Sequence, residues 1–137
     1  MNVLVIGAGG REHTLCWKIK QSPRCGKLFA APGNAGTAKC ATNLPVGVND
    51  FEGIKKAVIA NDIKLVIVGP EEPLVKGIHD FFLNDTALVK VGVIGPQKKA
   101  ATLEGSKAFA KAFMSRHKIP TAAYDEFTAE NLQEGEA

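Results

Sequence analysis

The apolar positions of this chain fall into short continuous runs separated by amphipathic stretches. Val3-Leu4-Val5-Ile6, Lys27 to Ala31, Lys64-Leu65-Val66-Ile67-Val68 and Lys90 to Ile94 are too short for helices and too uniformly apolar for strands with a wet face, so they predict buried parallel strands. A weaker short strand is expected from Asn43 to Val46. Between the runs, apolar residues recur at helical spacing. Leu15 and Ile19 precede Ser22-Pro23, Phe51, Ile54 and Val58 follow the N-cap candidate Asp50, and Leu74, Ile78, Phe81 and Phe82 follow Pro73. Glu52 and Lys56 stand one helical turn apart, suited to an ion pair.

Strands alternating with helices specify an α/β fold with a parallel sheet covered on both faces. All strand carboxyl ends of such a sheet lie along one rim, so the turns at Gly7, Pro32, Gly69 and Gly95 should converge although they are distant in sequence. Past Gln97 the pattern changes to two short helices, Lys98 to Leu103 and Lys107 to His117, the second with Phe109, Ala112 and Phe113 on one side. Arg116, His117 and Lys118 crowd its last turn, where the helix dipole favours positive charge, and Pro120 stops it. From Asp125 onward the acidic side chains have no Lys or Arg among them. That segment is expected to be either a solvated end or the point where a longer protein was cut.

Composition narrows the class. The 137 residues are 45% hydrophobic and 23% charged, in the range of a globular domain with room for a core. The formal charge of +3 and the 7% aromatic content, without any basic run, give no electrostatic footprint for nucleic acid. No apolar run approaches the roughly 20 residues that span a bilayer. Cys16, Cys25 and Cys40 form no C-x-x-C pair, and no secretory leader precedes the first strand, so a reducing, cytoplasmic setting with unpaired thiols is expected. The three histidines have no metal-ligand spacing, and His79 and His117 are expected at the surface.

Chemistry concentrates where the first strand meets Gly7-Ala8-Gly9-Gly10-Arg11-Glu12-His13. A strand, a tight turn and a helix start aim unpaired backbone N–H groups and the positive end of a dipole at one point, the geometry that binds phosphate. A dinucleotide fingerprint G-x-G-x-x-G needs a third glycine where Glu12 stands, and an acidic residue roughly 20 residues on for a ribose hydroxyl. Phe29-Ala30-Ala31-Pro32-Gly33 has no such carboxylate. Arg11 offers a planar fork for a terminal phosphate instead, and Glu12 an acceptor for hydroxyls or an amine, which favours a sugar monophosphate. Both residues also fit a solvated first helical turn. Pro32-Gly33-Asn34-Ala35-Gly36-Thr37 is either a structural turn or a second contact loop. Glu71, or Glu72, should stand near Arg11 and suit two adjacent ribose hydroxyls, unless these are turn carboxylates facing solvent.

Four blocks then coincide with a known family. Gly7 to His13, Ala31 to Thr37, Ile67-Val68-Gly69-Pro70-Glu71-Glu72-Pro73-Leu74-Val75-Lys76-Gly77 and Leu103-Glu104-Gly105-Ser106-Lys107-Ala108-Phe109 resemble, in order and spacing, the N-terminal part of the phosphoribosylamine-glycine ligases, the glycinamide ribonucleotide synthetases. Arg116 to Ala122 continues the likeness, which runs to about Phe127. The resemblance implies an ATP-grasp ligase of purine biosynthesis that joins glycine to 5-phosphoribosylamine through a glycyl phosphate, with ATP and Mg²⁺. It implies a Rossmann-like pre-ATP-grasp domain over residues 1–101 and the beginning of the ATP-grasp region over 102–137. Carried over by position, Gly9, Gly10, Arg11 and Glu12 resemble the phosphate and sugar loop, Gly33 and Asn34 a second wall, Glu71 a ribose contact, and Lys107 the lysine that reaches an ATP phosphate. The family's ATP lid and metal carboxylates would lie beyond residue 137, so the chain is expected to hold no catalytic residue or metal ligand and to be inactive alone. A nicotinamide-binding oxidoreductase domain and a stand-alone sugar-phosphate module are the alternatives.

Overall fold

The computed structural model describes residues 1–125 and 127. The chain divides into two compact units, Met1–Ala101 and Thr102–Ala137.

In the first unit, five parallel strands form one sheet: β1 (Asn2–Gly7), β2 (Leu28–Pro32), β3 (Thr42–Asn43), β4 (Ile63–Val68) and β5 (Gly92–Ile94), in the order β3-β2-β1-β4-β5. The branched apolar run of the sequence becomes β1, the central strand, buried from Val3 to Ile6. Its side chains alternate between two cores, as strand geometry requires. Val3 and Val5 join Leu28, Ala30 and Cys16 beneath α1 (Gly10–Lys20). Leu4 and Ile6 join Phe29, Val66 and Val68 beneath α2 (Phe51–Ala60), α3 (Glu71–Lys76) and α4 (Ile78–Asn84). Helices on both faces of an all-parallel sheet are the expected α/β architecture.

Several elements depart from the sequence pattern. The third strand is only Thr42–Asn43, although Leu44 N–H still donates to Ala30 O at 2.8 Å. The fifth strand begins at Gly92 rather than Lys90, because Leu88 turns inward, fully buried, and Val91 N–H closes a turn onto its carbonyl. The single helix expected after Pro73 is two helices, broken at Gly77, which takes φ +96°. Leu74, Ile78 and Phe82 all reach the core across that break.

Polar contacts fasten the ends. Asp50 caps α2 by accepting Gly53 N–H at 2.9 Å. Glu52 and Lys56 form no ion pair among the described residues. It is Lys55 that pairs, with Asp85 at 2.5 Å, tying α2 to the turn after α4. His79 is half-buried rather than at the surface, its Nδ1 donating to Gly95 O at 2.6 Å, which joins α4 to the end of β5.

The helix α5 (Lys98–Gly105) starts in the first unit, where Ala101 is buried, and ends in the second. In the second unit α6 (Lys107–Arg116) is capped by Ser106, whose Oγ accepts Phe109 N–H at 3.2 Å. The apolar side of α6 expected from Phe109, Ala112 and Phe113 is not buried, and Phe109 is 41% exposed. His117 is exposed and lies against the Phe113 ring, at 4.4 Å between centroids. The acidic segment past Asp125 lies, except for Phe127, outside the described residues. Among the described residues no helix is long and apolar enough to cross a membrane.

Candidate functional site

Strand register brings the glycine turns together. Gly7 pairs with Pro32, and Ile6 with Val68. Gly33 N–H donates to Gly7 O at 3.1 Å, and Gly69 N–H to Ile6 O at 3.0 Å. Ile67 pairs with Ile94, so the turn at Gly95 lies on the same rim. The chain runs outward from β1 to β2 and β3 in one direction and from β4 to β5 in the other. The crevice between β1 and β4 is therefore the point where strand order reverses, the usual ligand position in an open parallel sheet.

At that point Gly9 forms the N-cap of α1 in an extended conformation. The Gly10 and Arg11 N–H groups of the first turn have no intrahelical acceptor, and they carry the positive end of the helix dipole. Arg11 is exposed and reaches over the crevice, its Nη1 donating to Gly69 O at 3.1 Å. That bond is the only one its guanidinium makes among the described residues, so the other donors of the fork remain for an anion. Gly9, Gly10, Arg11 and Glu12 line a cleft of about 360 Å³ together with Pro70 and Glu71. Glu71, the first residue of α3, is exposed at its edge. Glu72 is engaged elsewhere, bonded to Lys76 at 2.7 Å. Lys76 first, and then Asn49, hold its carboxyl below the usual carboxylate range.

Glu12 turns one carboxylate oxygen back onto the loop. It is 6% exposed, and its Oε2 accepts the Gly9 N–H at 2.6 Å. Asn34 is likewise committed to structure. Its Nδ2 donates to Ala8 O at 2.8 Å and Gly9 O at 3.1 Å, while its Oδ1 accepts from Gly36 and Thr37 N–H groups at 2.7 and 2.9 Å. Thr37, fully buried, accepts Asn34 N–H at 2.7 Å and donates to Asn43 Oδ1 at 2.7 Å. Gly33 sits at φ +73°, where a Cβ would strike Asn43 and Thr37. The second loop is thus a braced wall lashed to the first, and the Asn34 side chain is spent in the bracing. His13 adds to this by packing on Gly36, whose Cβ would lie 2.6 Å from the ring Nδ1.

Lys107 lies in the second unit, exposed at the first position of α6. Among the described residues no group of three His, Cys, Asp or Glu side chains gathers to hold a metal ion. A larger hollow of about 550 Å³ lies among Lys20, Lys27, Lys39 and Thr42, at the amino ends of β2 and β3 and remote from the glycine rim. The Gly69 carbonyl that anchors Arg11 carried no sequence signal, because a backbone acceptor has no residue signature. Neither did Asn43, an amide in a two-residue strand.

Comparison with known proteins gives a consistent result. The family described as "Phosphoribosylglycinamide synthetase, N domain" matches residues 1–104. Phosphoribosylamine--glycine ligase from Pasteurella multocida is 52% identical over 130 residues, which cover 93% of this chain and 29% of the relative. The enzyme of the same name from Escherichia coli is also 52% identical over 130 residues, with the same coverage. A crystal structure of phosphoribosylamine--glycine ligase from Thermotoga maritima superposes with a TM-score of 0.65 at 29% identity, over 98% of this chain and 30% of that one. The chain therefore spans about 29% of the length of the curated relatives it matches.

Proposed function

Since the chain belongs to the phosphoribosylglycinamide synthetase family through its N domain, we propose that it is the substrate-binding N-terminal portion of an ATP-dependent ligase joining glycine to 5-phosphoribosylamine. In this reading residues 1–101 form the pre-ATP-grasp domain and 102–137 begin the ATP-grasp region. The supporting observation is the Arg11 guanidinium, held over the β1/β4 crevice by the Gly69 carbonyl and beside the open N–H groups of α1.

The 5′-phosphate of the amine substrate sits on the loop of Gly9, Gly10 and Arg11, at the outer N–H groups of Gly10 and Arg11, and Glu71 takes the ribose hydroxyls. Gly33 and Asn34 shape the adjoining wall, and Glu12 acts on the loop from behind. Two or three charge-assisted bonds at about 1.5–3 kcal/mol each correspond to millimolar to micromolar affinity. The fragment's contribution to the ligation is orientation: it fixes the phosphoribosyl end so that the amine meets its electrophile in one pose. Lys107 is assigned to an ATP phosphate. ATP would supply the phosphoryl group that activates glycine, and Mg²⁺ would offset its charge. As the family resemblance implies, both are assigned mainly to the part of such a ligase beyond this chain. A cytoplasmic setting fits a pathway enzyme acting on small phosphorylated substrates.

Calorimetric titration with ribose 5-phosphate tests the reading. Arg11→Ala should weaken binding by about 10- to 100-fold, and equal affinities for the two proteins would remove the phosphate role of Arg11. The purified chain should also show no ATP hydrolysis dependent on glycine and phosphoribosylamine. Turnover by the chain alone would overturn its assignment as a non-catalytic portion.

A further inference from the structure

Three glycines of the rim surround one side chain. A Cβ on Gly7 would lie 2.6 Å from Glu12 Cγ, one on Gly9 would lie 2.8 Å from Glu12 Oε2, and one on Gly69 would collide with Glu12 Oε1. The ends of β1 and β4 and the N-cap of α1 are thus kept bare for the Glu12 carboxylate, which fills the crevice where strand order reverses. Gly10 differs, since a Cβ there meets nothing within 4 Å. Glu12 stands where a G-x-G-x-x-G loop has its third glycine, the position that lets helix and strand close up beneath a bound pyrophosphate.

We propose that Glu12 is the specificity-determining residue of this loop: a carboxylate built into the β1/β4 crevice that positions Gly9 and excludes a second phosphate, so that the site accepts a terminal phosphomonoester and refuses a diphosphate-bridged nucleotide. The inference rests on the reading of the loop as a sugar-phosphate site and names what decides its ligand. Two physical effects act in the same direction. The Gly9 N–H, a donor that a bridging diphosphate would need, is already taken at 2.6 Å by Glu12 Oε2. A negative charge fixed in a poorly solvated crevice also repels an anion placed there, more strongly than it would in water. A single phosphate at the outer N–H groups of Gly10 and Arg11 meets the Arg11 fork instead and leaves the crevice filled. Glu12 is a positioning residue, since it acts through Gly9 and through its charge rather than by touching the sugar.

The test compares the full chain with Glu12→Gln and Glu12→Gly, titrated with ribose 5-phosphate and with ADP-ribose, while Gly9 amide exchange is followed by NMR. The unsubstituted chain should prefer ribose 5-phosphate by at least about tenfold. Glu12→Gln keeps the shape and the acceptor but removes the charge, so ADP-ribose should gain more affinity than ribose 5-phosphate and the preference should fall by about fivefold or more. Glu12→Gly should free the Gly9 N–H, speed its exchange, weaken ribose 5-phosphate and abolish the preference. If Glu12→Gly does not fold, Glu12→Gln decides alone. A preference unchanged in every folded variant, with ribose 5-phosphate still bound, overturns the role of Glu12 and leaves the sugar-phosphate reading standing. An unsubstituted chain that binds neither ligand, or prefers ADP-ribose, overturns both.

Discussion

A methyl group added at Gly69 would land on the Glu12 carboxylate, whereas one added at Gly10 would meet open space. Gly69→Ala should therefore destabilise the chain by about 1–3 kcal/mol, the range for overpacking a filled site. Gly10→Ala should leave the urea midpoint level or slightly raised, since alanine is the better helix former, yet weaken ribose 5-phosphate binding by crowding the first turn. Denaturation and calorimetry on the two variants separate a glycine that serves the fold from one that serves the ligand. The thiols divide in a similar way. Burial, chiefly, pushes the Cys16 thiol up to about 11, with Cys40, Glu12 and Cys25 adding to it, and the residue is fully buried beneath α1. At mildly alkaline pH a thiol reagent should modify the half-buried Cys25 and Cys40 first and reach Cys16 only on unfolding. A third fast-reacting thiol would contradict the packing of β1 against α1. None of these distinctions is written in the residue types. Gly10 and Gly69 are the same letter, and only a neighbour from another segment tells them apart.

Among the elements, α2 was the most legible: an acidic cap, apolar residues on one face and a length that matches Phe51–Ala60 end to end. Its cap and its apolar stripe are local, so the sequence contains them whole. Asp50→Ala should cost about 1 kcal/mol by leaving Gly53 N–H without its acceptor. The ion pair of α2 was not legible, because Lys55 finds its partner in the turn after α4. The Lys55 bond, with the Ala87 N–H behind it, holds the Asp85 carboxyl below the usual aspartate range, and the Asp85 bond raises Lys55. A depressed carboxylate contributes stability that is complete above its ordinary value of 3.8 and is lost as pH falls through the folded value. The raised Lys55 contributes below its ordinary value of 10.5, and that share is lost as pH rises through its own folded value. Asp85→Asn should accordingly flatten the acid limb of the stability curve, read as the change in urea midpoint between about pH 6 and about pH 3. An acid limb as steep as that of the unsubstituted chain would show that the pair contributes nothing. The break between α3 and α4 escaped the periodic pattern because Leu74 and Ile78 keep helical spacing across Gly77. A left-handed residue leaves no mark on hydrophobic spacing.

Over the whole first unit, β1 carries both cores, one on each face. Phe82, 1% exposed in the larger core and set edge-on to Phe81, should cost about 3–5 kcal/mol when replaced by alanine, measured as the loss in unfolding free energy. Alternating strands and helices, glycine at the strand ends and four spaced blocks sufficed to predict an α/β parallel sheet, a shared rim of loops and a ligase family. Those features follow from backbone geometry repeated along the chain, and each is complete within a few neighbouring residues. Tertiary structure decided the occupants of the rim. It turned Glu12 inward to fill the space of three glycines, spent Asn34 on lashing two loops together, drew Glu72 away to Lys76, and left Arg11 and Glu71 facing the cleft. Whether a polar side chain serves a ligand or the fold depends on which donors and acceptors other segments bring within about 3 Å of it, and that is fixed only once the strands are in register.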